Sequence, residues 1–449
     1  MKAQRMTKAG RIALTTVMAG VATLALAACG GGNDDRPTPT VGNRTPILSR
    51  LATEIVPDPT LADVPVTLPA PSANADWAQA GGNAAKAPGH VTLAASPARA
   101  WTAQIDGTTK TRRLAAAPVI GSGSLFVVDT SGVIHAFDAA TGTKRWSHRI
   151  EVSGDLRDST FGGGASYADG RVFATSGTGD VLALDAANGA VLWREKPAGP
   201  LRGSPTVAFN SVFVMTQDNQ IHTLNAETGE QIWQDVAASG QSGVFGVAAP
   251  AAGQGSVIAG YSSGELVAYR YENGRNLWSD ALARTSISTE VGALTDVDAD
   301  PIIENGRVYA LGQGGRMAAY QLTTGQRVWD LTLAGISTPA IAGSWLFTLT
   351  DDAKLLAIAK DTGRIRWVTQ LEQWRDPKDR EGPIFWTGPV LASGRLLVAS
   401  SRGVVRSVDA TTGVASAFTE LNDGVSVPPV VAGGMLYILD DGGRITAWR

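Results

Sequence analysis

Beyond residue 97 the chain is written in short apolar runs separated by turn residues. Leu125-Phe126-Val127-Val128 and Val133-Ile134-His135-Ala136-Phe137 are typical, with Gly132 between them. Runs of four to six residues, rich in β-branched and aromatic side chains and bounded by Gly, Asn or Asp, predict strands. Nowhere in this region does the i, i+3, i+4 spacing of an amphipathic helix appear. One phrase recurs. A small residue, Pro and Val open a first strand (Ala117-Pro118-Val119), two more strands follow, and Asp-Ala-x-Thr-Gly leads to a Trp (Asp138 to Gly142, then Trp146). The Trp returns at Trp101, Trp146, Trp193, Trp233, Trp278, Trp329 and Trp367, a mean step of about 44 residues, which is the length of a four-stranded propeller blade.

The turns agree. Gly142, Gly189, Gly229, Gly274, Gly325, Gly363 and Gly413 each stand four residues before the Trp or its equivalent, where a tight hairpin calls for positive φ. The seventh copy has Ala417-Phe418 in place of its Trp. Units begin at Pro118, Ser166, Pro205, Pro250, Pro301, Pro339, Pro389 and Pro429, which makes eight, and the eighth ends at Trp448-Arg449 without an outer strand. Ala100 to Ile105, containing Trp101, has the missing phase and no strands of its own before it. The expected fold is therefore all-β, an eight-bladed propeller of four-stranded antiparallel blades. Its last blade is completed by the N-terminal strand, which pairs an otherwise bare edge. Residues that recur at one phase in every blade are expected to dock blades and make turns, not to do chemistry.

The pattern before residue 98 is different. Lys2, Arg5, Lys8 and Arg11 precede an uncharged run from Ile12 to Ala28, the layout of a secretory signal peptide. Leu26-Ala27-Ala28-Cys29 resembles a bacterial lipobox, in which Cys29 is lipidated and becomes the first mature residue; acyl chains would then hold the protein on a membrane. Gly30, not Asp, follows it, which by resemblance to lipoprotein sorting points to the outer membrane. From there to about Ala75 the chain carries eight prolines and reads as a tether, because proline lacks a donor and fixes φ. The apolar part from Ile47 to Leu68 could alternatively pack along the domain. The expected organisation is signal peptide 1–28, tether 29–75, lead-in 76–97 and propeller 98–449.

Composition narrows the chemistry. Of 449 residues 52 are Gly and one is Cys, so the chain can form no internal disulfide, CxxC redox pair or thiolate zinc site. Lys and Arg number 38 against 41 Asp and Glu, no footprint for nucleic acid. Gly260-Tyr261-Ser262-Ser263-Gly264 matches the G-x-S-x-G nucleophile elbow in letters only, since it falls in a strand-turn-strand hairpin and the elbow needs strand-turn-helix. Asp296, Asp298 and Asp300 imitate the start of a Ca²⁺ loop, but Pro301 and Arg307 stand where the loop requires Gly and Glu. His90, His135, His148 and His222 are scattered. No catalytic residue, metal site or cofactor is expected. Two connections are much longer than the rest, Ser279 to Asp300 and Val368 to Gly388, and long loops on a rigid scaffold are where binding concentrates. The second mixes Trp374, Phe385 and Trp386 with Arg375, Asp376, Lys378, Asp379, Arg380 and Glu381, an interface composition or, equally, aromatics tucked beneath a solvated loop.

Read as a whole, the chain resembles the pyrroloquinoline-quinone-like propeller repeats and, within them, the BamB lipoprotein family of the outer-membrane β-barrel assembly machinery. The resemblance covers the lipobox and about residues 98–449. Its most specific part is Ser288-Thr289-Glu290, then Leu294-Thr295-Asp296-Val297-Asp298 and Pro301-Ile302-Ile303-Glu304-Asn305-Gly306. It implies a non-catalytic scaffold, lipid-anchored to the outer membrane and facing the periplasm. Such a scaffold binds the POTRA domains of BamA and assists insertion of unfolded outer-membrane protein clients, whose strand edges could be held by β-augmentation. In that family the aspartates of the Asp-Val-Asp lie on the face that meets a POTRA domain, so Asp296 and Asp298 inherit partner binding. Val244-Phe245 stands where the family carries Leu-Arg. Two alternatives share the fold: a quinoprotein dehydrogenase, which generally needs a vicinal Cys-Cys pair that this chain lacks, and a periplasmic scaffold or sensor with other partners.

Overall fold

The computed structural model describes residues 55–152, 154–237, 248–282 and 296–449. Cys29, Val244-Phe245 and Ser288 to Thr295 lie outside them. Within them the recurring phrase folds as the spacing predicts, into eight four-stranded antiparallel sheets. Blades 1 to 7 span residues 119–149, 165–195, 201–236, 251–281, 302–331, 340–370 and 386–420, each running from inner to outer strand in chain order. Blade 8 comprises Val430–Ala432, Met435–Leu439 and Arg444–Trp448, and its outer strand is Arg99–Gln104, paired antiparallel with Trp101 opposite Ala447 and Ala103 opposite Ile445. The two ends of the propeller thus close the ring, as expected.

Burial across a blade explains the two textures of the sequence. The second strand of blade 1, Ser124–Val128, is buried at every position, whereas the outer strand Lys144–Arg149 alternates. Middle strands are covered on both faces by neighbouring blades and so read as continuous apolar runs; outer strands have one wet face.

The repeated Trp and Gly meet between blades. Each outer-strand indole reaches into the last hairpin of the next blade and donates Nε1–H to a carbonyl there: Trp146 to Ala186 (2.9 Å), Trp233 to Tyr271 (2.8 Å), Trp278 to Leu322 (2.7 Å) and Trp367 to Ala410 (3.2 Å) are examples. Trp101 does the same across the closure, to Ala139 (3.1 Å). The Gly of that hairpin lies against the ring. At Gly274, φ is +69° and an added Cβ would stand 2.5 Å from Trp233 Cε3, so Gly is required twice over, by conformation and by space. In blade 7 the outer-strand bulge falls at Phe418, between Val405–Thr419 and Arg406–Ala417 pairing, and Phe418 meets Trp448 edge-on at 6.0 Å in place of an indole dock.

Ahead of the first strand, Ile55 to Ala98 lies along the propeller. The Asp58 amide donates to Ile365 (2.7 Å), and Val66, Trp77, Val91 and Leu93 are buried. This includes the described part of the stretch read as tether, residues 55–75. Its prolines deny it a place inside a sheet, but its apolar side chains still gain by leaving water.

Candidate docking face

In an antiparallel blade the turn between the second and third strands and the connection to the next blade emerge on one face, and the other two turns on the opposite face. The two long connections therefore share a face. On the opposite face lies the lead-in. Trp77 pairs with Ile120 of blade 1 in both directions (2.9 Å each), and the Ala78 carbonyl accepts the Tyr167 amide (2.7 Å). The Gln79 side chain pairs with Val207, and the Ala84 and Ala85 carbonyls accept the amides of Ala252 (2.8 Å) and Ile303 (2.9 Å). All these partners sit at the ends of inner strands, so that face has its centre covered by the protein's own chain.

On the open face, the described end of the connection after blade 4 is anchored by Val297. This side chain is fully buried and fits over Gly260, where a Cβ would come within 2.5 Å of Val297 Cγ1. The Val297 amide donates to Tyr261 (3.3 Å) and the Asp296 carbonyl accepts the Gln313 amide (2.9 Å). Asp296 is 1% exposed. Asp298 is partly exposed as a residue, but both its carboxylate oxygens are covered. The two aspartates expected to meet a partner thus flank the buried anchor Val297 at the root of the loop, with Asp296 and both carboxylate oxygens of Asp298 covered.

Asp300 follows, and the sequence had offered it only a failed Ca²⁺ role. Its Oδ1 accepts the Ala249 amide (2.7 Å), from the end of the connection after blade 3, and its own amide donates to Thr338 Oγ1 (3.0 Å) at the entry to blade 6. Burial pushes its carboxyl pKa up, partly offset by the positive charge of Lys86. Lys86 comes from the lead-in on the other face and is fully buried. Its ammonium donates to Thr206 Oγ1 (3.1 Å), and nothing in the local sequence marks its influence on Asp300, since 214 residues separate the two.

The connection after blade 6 divides the roles of its aromatics. Trp386 is buried and donates Nε1–H to the Glu372 carbonyl (2.8 Å), beneath a small hairpin of Trp374–Asp376 and Glu381–Pro383. Arg375, Asp376, Lys378, Asp379, Arg380 and Glu381 are solvated. Phe385 is 62% exposed and shares a small cleft with Ile336, itself 46% exposed, from the preceding connection. Ile336 escaped the sequence reading because a lone apolar residue in a short loop carries no pattern. Asp351 lines the same cleft, with its carboxyl pushed up to about 6 by burial and by Asp352.

Ser262 is buried in its hairpin and donates to Asn219 Oδ1 (2.8 Å). Among the described residues no group of three or more His, Cys, Asp or Glu is placed to hold a metal ion.

The family model for outer membrane protein assembly factor BamB matches residues 88–157 and 130–369. The protein of that name from Yersinia pestis is 25% identical over 358 residues, covering 79% of this chain and 89% of its own length. That of Escherichia coli K12 is 26% identical over 354 residues, covering 78% and 88%. Among solved structures, BamB from Moraxella catarrhalis superposes with a TM-score of 0.64 at 18% identity, covering 79% of this chain and 99% of that one. Quinohemoprotein alcohol dehydrogenase from Comamonas testosteroni superposes equally well, at 0.65 and 14% identity, covering 83% and 80%. At these identities the structural likenesses show the propeller fold alone.

Proposed function

The chain belongs to the outer membrane protein assembly factor BamB family, and from that premise we propose that it is a non-catalytic scaffold of the outer-membrane β-barrel assembly machinery. The carrying observation is the family match across residues 88–369, which takes in the blades on either side of the Asp296–Pro301 segment. The name shared by its relatives supports an outer-membrane role that is not enzymatic.

In this reading Cys29 carries the lipid, and residues 30–54 link it to the propeller. The open face presents the connections after blades 3 and 4 to the POTRA domains of BamA, while the lead-in covers the centre of the opposite face. Asp296 and Asp298 act at the root of that surface, and Val297 holds the root to blade 4. Holding BamA in one orientation while unfolded clients arrive requires a rigid platform, which the indole docks supply. The dehydrogenases share the fold, but fold alone does not carry their function, and no described residue cluster favours it.

The test is affinity capture of the tagged, full-length chain from detergent-solubilised membranes, with mass spectrometry of what is retained. Wild-type protein is expected to retain BamA, and Asp298→Lys to retain markedly less, with its melt recorded beside it because both Asp298 carboxylate oxygens are covered. Capture without BamA, or full capture by a well-folded Asp298→Lys, would remove this surface from the reading.

A further inference from the structure

Further round the open face, blades 5 to 7 present two apolar side chains for which the scaffold reading has no use. Phe385 is 62% exposed and Ile336 46%. Both are held by a fixed backbone. The Phe385 amide donates to Ser401 Oγ (3.1 Å) and its carbonyl accepts the Ser401 amide (2.8 Å), in the turn between the second and third strands of blade 7. Its neighbour Trp386 is buried and bonded to the Glu372 carbonyl. On the other wall, the Ala334 carbonyl accepts the Asp351 amide (3.0 Å) and Thr338 Oγ1 accepts the Asp300 amide (3.0 Å), which fixes the chain two residues to either side of Ile336. Apolar surface presented this way loses little freedom on binding, and rigid aromatics are the common anchors of interfaces.

Asp351 lines the cleft between these walls. Lys354, three residues on, pairs with Asp352 instead (2.6 Å), and no described residue hydrogen-bonds or ion-pairs with the Asp351 carboxylate. It is an acceptor without a donor, set beside apolar surface and still ionised at neutral pH. The cleft measures about 30 Å³, room for about one water, so it encloses no small molecule. What fits is a chain lying across Phe385 and Ile336, with one apolar side chain against them and a cation reaching Asp351. Successive side chains of an extended chain point to opposite sides, so the apolar residue and the cation stand two positions apart. The carboxylate at the centre opposes an anionic lipid surface.

We propose that Ile336, Asp351 and Phe385 form a second docking site on the open face, separate from the Asp296 segment, which takes an extended segment of a partner protein carrying an apolar side chain and, two residues away, a Lys or Arg. The site stands on its own geometry and does not depend on the scaffold reading. Within that reading it gives the hairpin after blade 6 a task. The platform then holds a second chain at blades 5 to 7 while the connections after blades 3 and 4 meet BamA.

The experiment titrates the purified full-length chain into fluorescein-labelled peptides at neutral pH and follows fluorescence anisotropy. The peptides share one Gly-Ser frame, and their centres read Phe-Ser-Arg, Phe-Ser-Glu or Gly-Ser-Arg. Wild type, Phe385→Ser and Asp351→Asn are compared, with thermal melts recorded. The wild type is expected to bind Phe-Ser-Arg about tenfold more tightly than either other peptide, through opposite instead of like charge at an exposed carboxylate in one case and the apolar contact in the other. Asp351→Asn should abolish the preference for Arg over Glu and keep that for Phe over Gly, and Phe385→Ser should do the reverse. If Phe385→Ser does not fold, Ile336→Ser, which removes the other wall, takes its place. Equal binding of the three peptides by the wild type, or binding of none, would overturn the proposal, as would well-folded variants with the wild-type preferences. Self-association of the wild type that Phe385→Ser abolishes would assign the surface to a second copy of the chain. Binding to phosphatidylethanolamine–phosphatidylglycerol vesicles that the same change abolishes would assign it to lipid, and either result overturns the peptide site. No BamA is present in these titrations, so their failure leaves the scaffold reading standing, and failure to capture BamA leaves this site standing.

Discussion

The indole docks make a quantitative demand that can be tested at Trp233 and Gly274, where blade 3 meets blade 4. Replacing Gly274 by Ala forces an L-residue to φ of +69°, which costs about 1–2 kcal/mol. It also drives a methyl to 2.5 Å from Trp233 Cε3 and 2.7 Å from Cδ2, an overpacking worth about 1–3 kcal/mol. Together Gly274→Ala should cost about 2–5 kcal/mol. Trp233→Ala should cost about 3–5 kcal/mol, since the ring is buried and its Nε1–H bond to Tyr271 goes with it. The informative protein is the double variant. With the indole gone the methyl meets no ring, and only the backbone term of about 1–2 kcal/mol remains for Gly274→Ala. The pair should then be less destabilising than the sum by about 1–3 kcal/mol, the signature of residues in direct contact. The four proteins are compared by guanidinium denaturation followed by far-ultraviolet circular dichroism, reading midpoints side by side, because a chain this long exceeds the size at which two-state analysis is the rule. Full additivity, or a Gly274→Ala variant as stable as the wild type, would show that the repeated Gly is not there to receive the indole.

Further outcomes follow from other contacts. Trp101→Ala should destabilise by less than the roughly 3–5 kcal/mol of a fully buried indole, since Trp101 is partly buried, and raise protease sensitivity at Arg99–Gln104 and Arg444–Trp448, because that indole closes the ring; an unchanged digestion pattern would argue against closure by this strand. The fall of the Lys86 pKa from 10.5 to about 8 corresponds to roughly 3 kcal/mol withheld from the fold at neutral pH. The folded chain loses this proton before the unfolded chain does, so stability should rise between pH 8 and pH 10.5. That slope should vanish in Lys86→Met when denaturation midpoints are measured against pH. Asp296→Lys places a charge at a buried position and should lower the melting temperature steeply, so loss of binding by that variant must be read together with its melt. Phe385→Ser should leave the melt within about 0.5 kcal/mol of the wild type, because that ring is 62% exposed; a large fall would show that it is buried against the cleft in solution.

The number of blades, their strand order and the closure by Arg99–Gln104 were legible in the chain because they repeat. A Trp, a Gly and a Pro recurring at one phase seven or eight times carry their spacing with them, and the turn chemistry that makes Gly274 necessary is local. Sequence similarity also singled out the Asp296–Pro301 segment as a candidate, but not its orientation. That Val297 would be the buried anchor depends on Gly260, a residue on another strand with no Cβ to block the fit. The lead-in was harder still. Its prolines and polar residues suggest tether, and its contacts run from Trp77 to Ile120, from Asn74 to Val431 and from Lys86 to Thr206, each joining positions that no repeat relates. Periodicity reports what a residue does for its own strand. A single segment threaded past the inner strands of many blades has no period, so its course, and the buried charge it brings among those strands, are decided only by the closed ring it crosses.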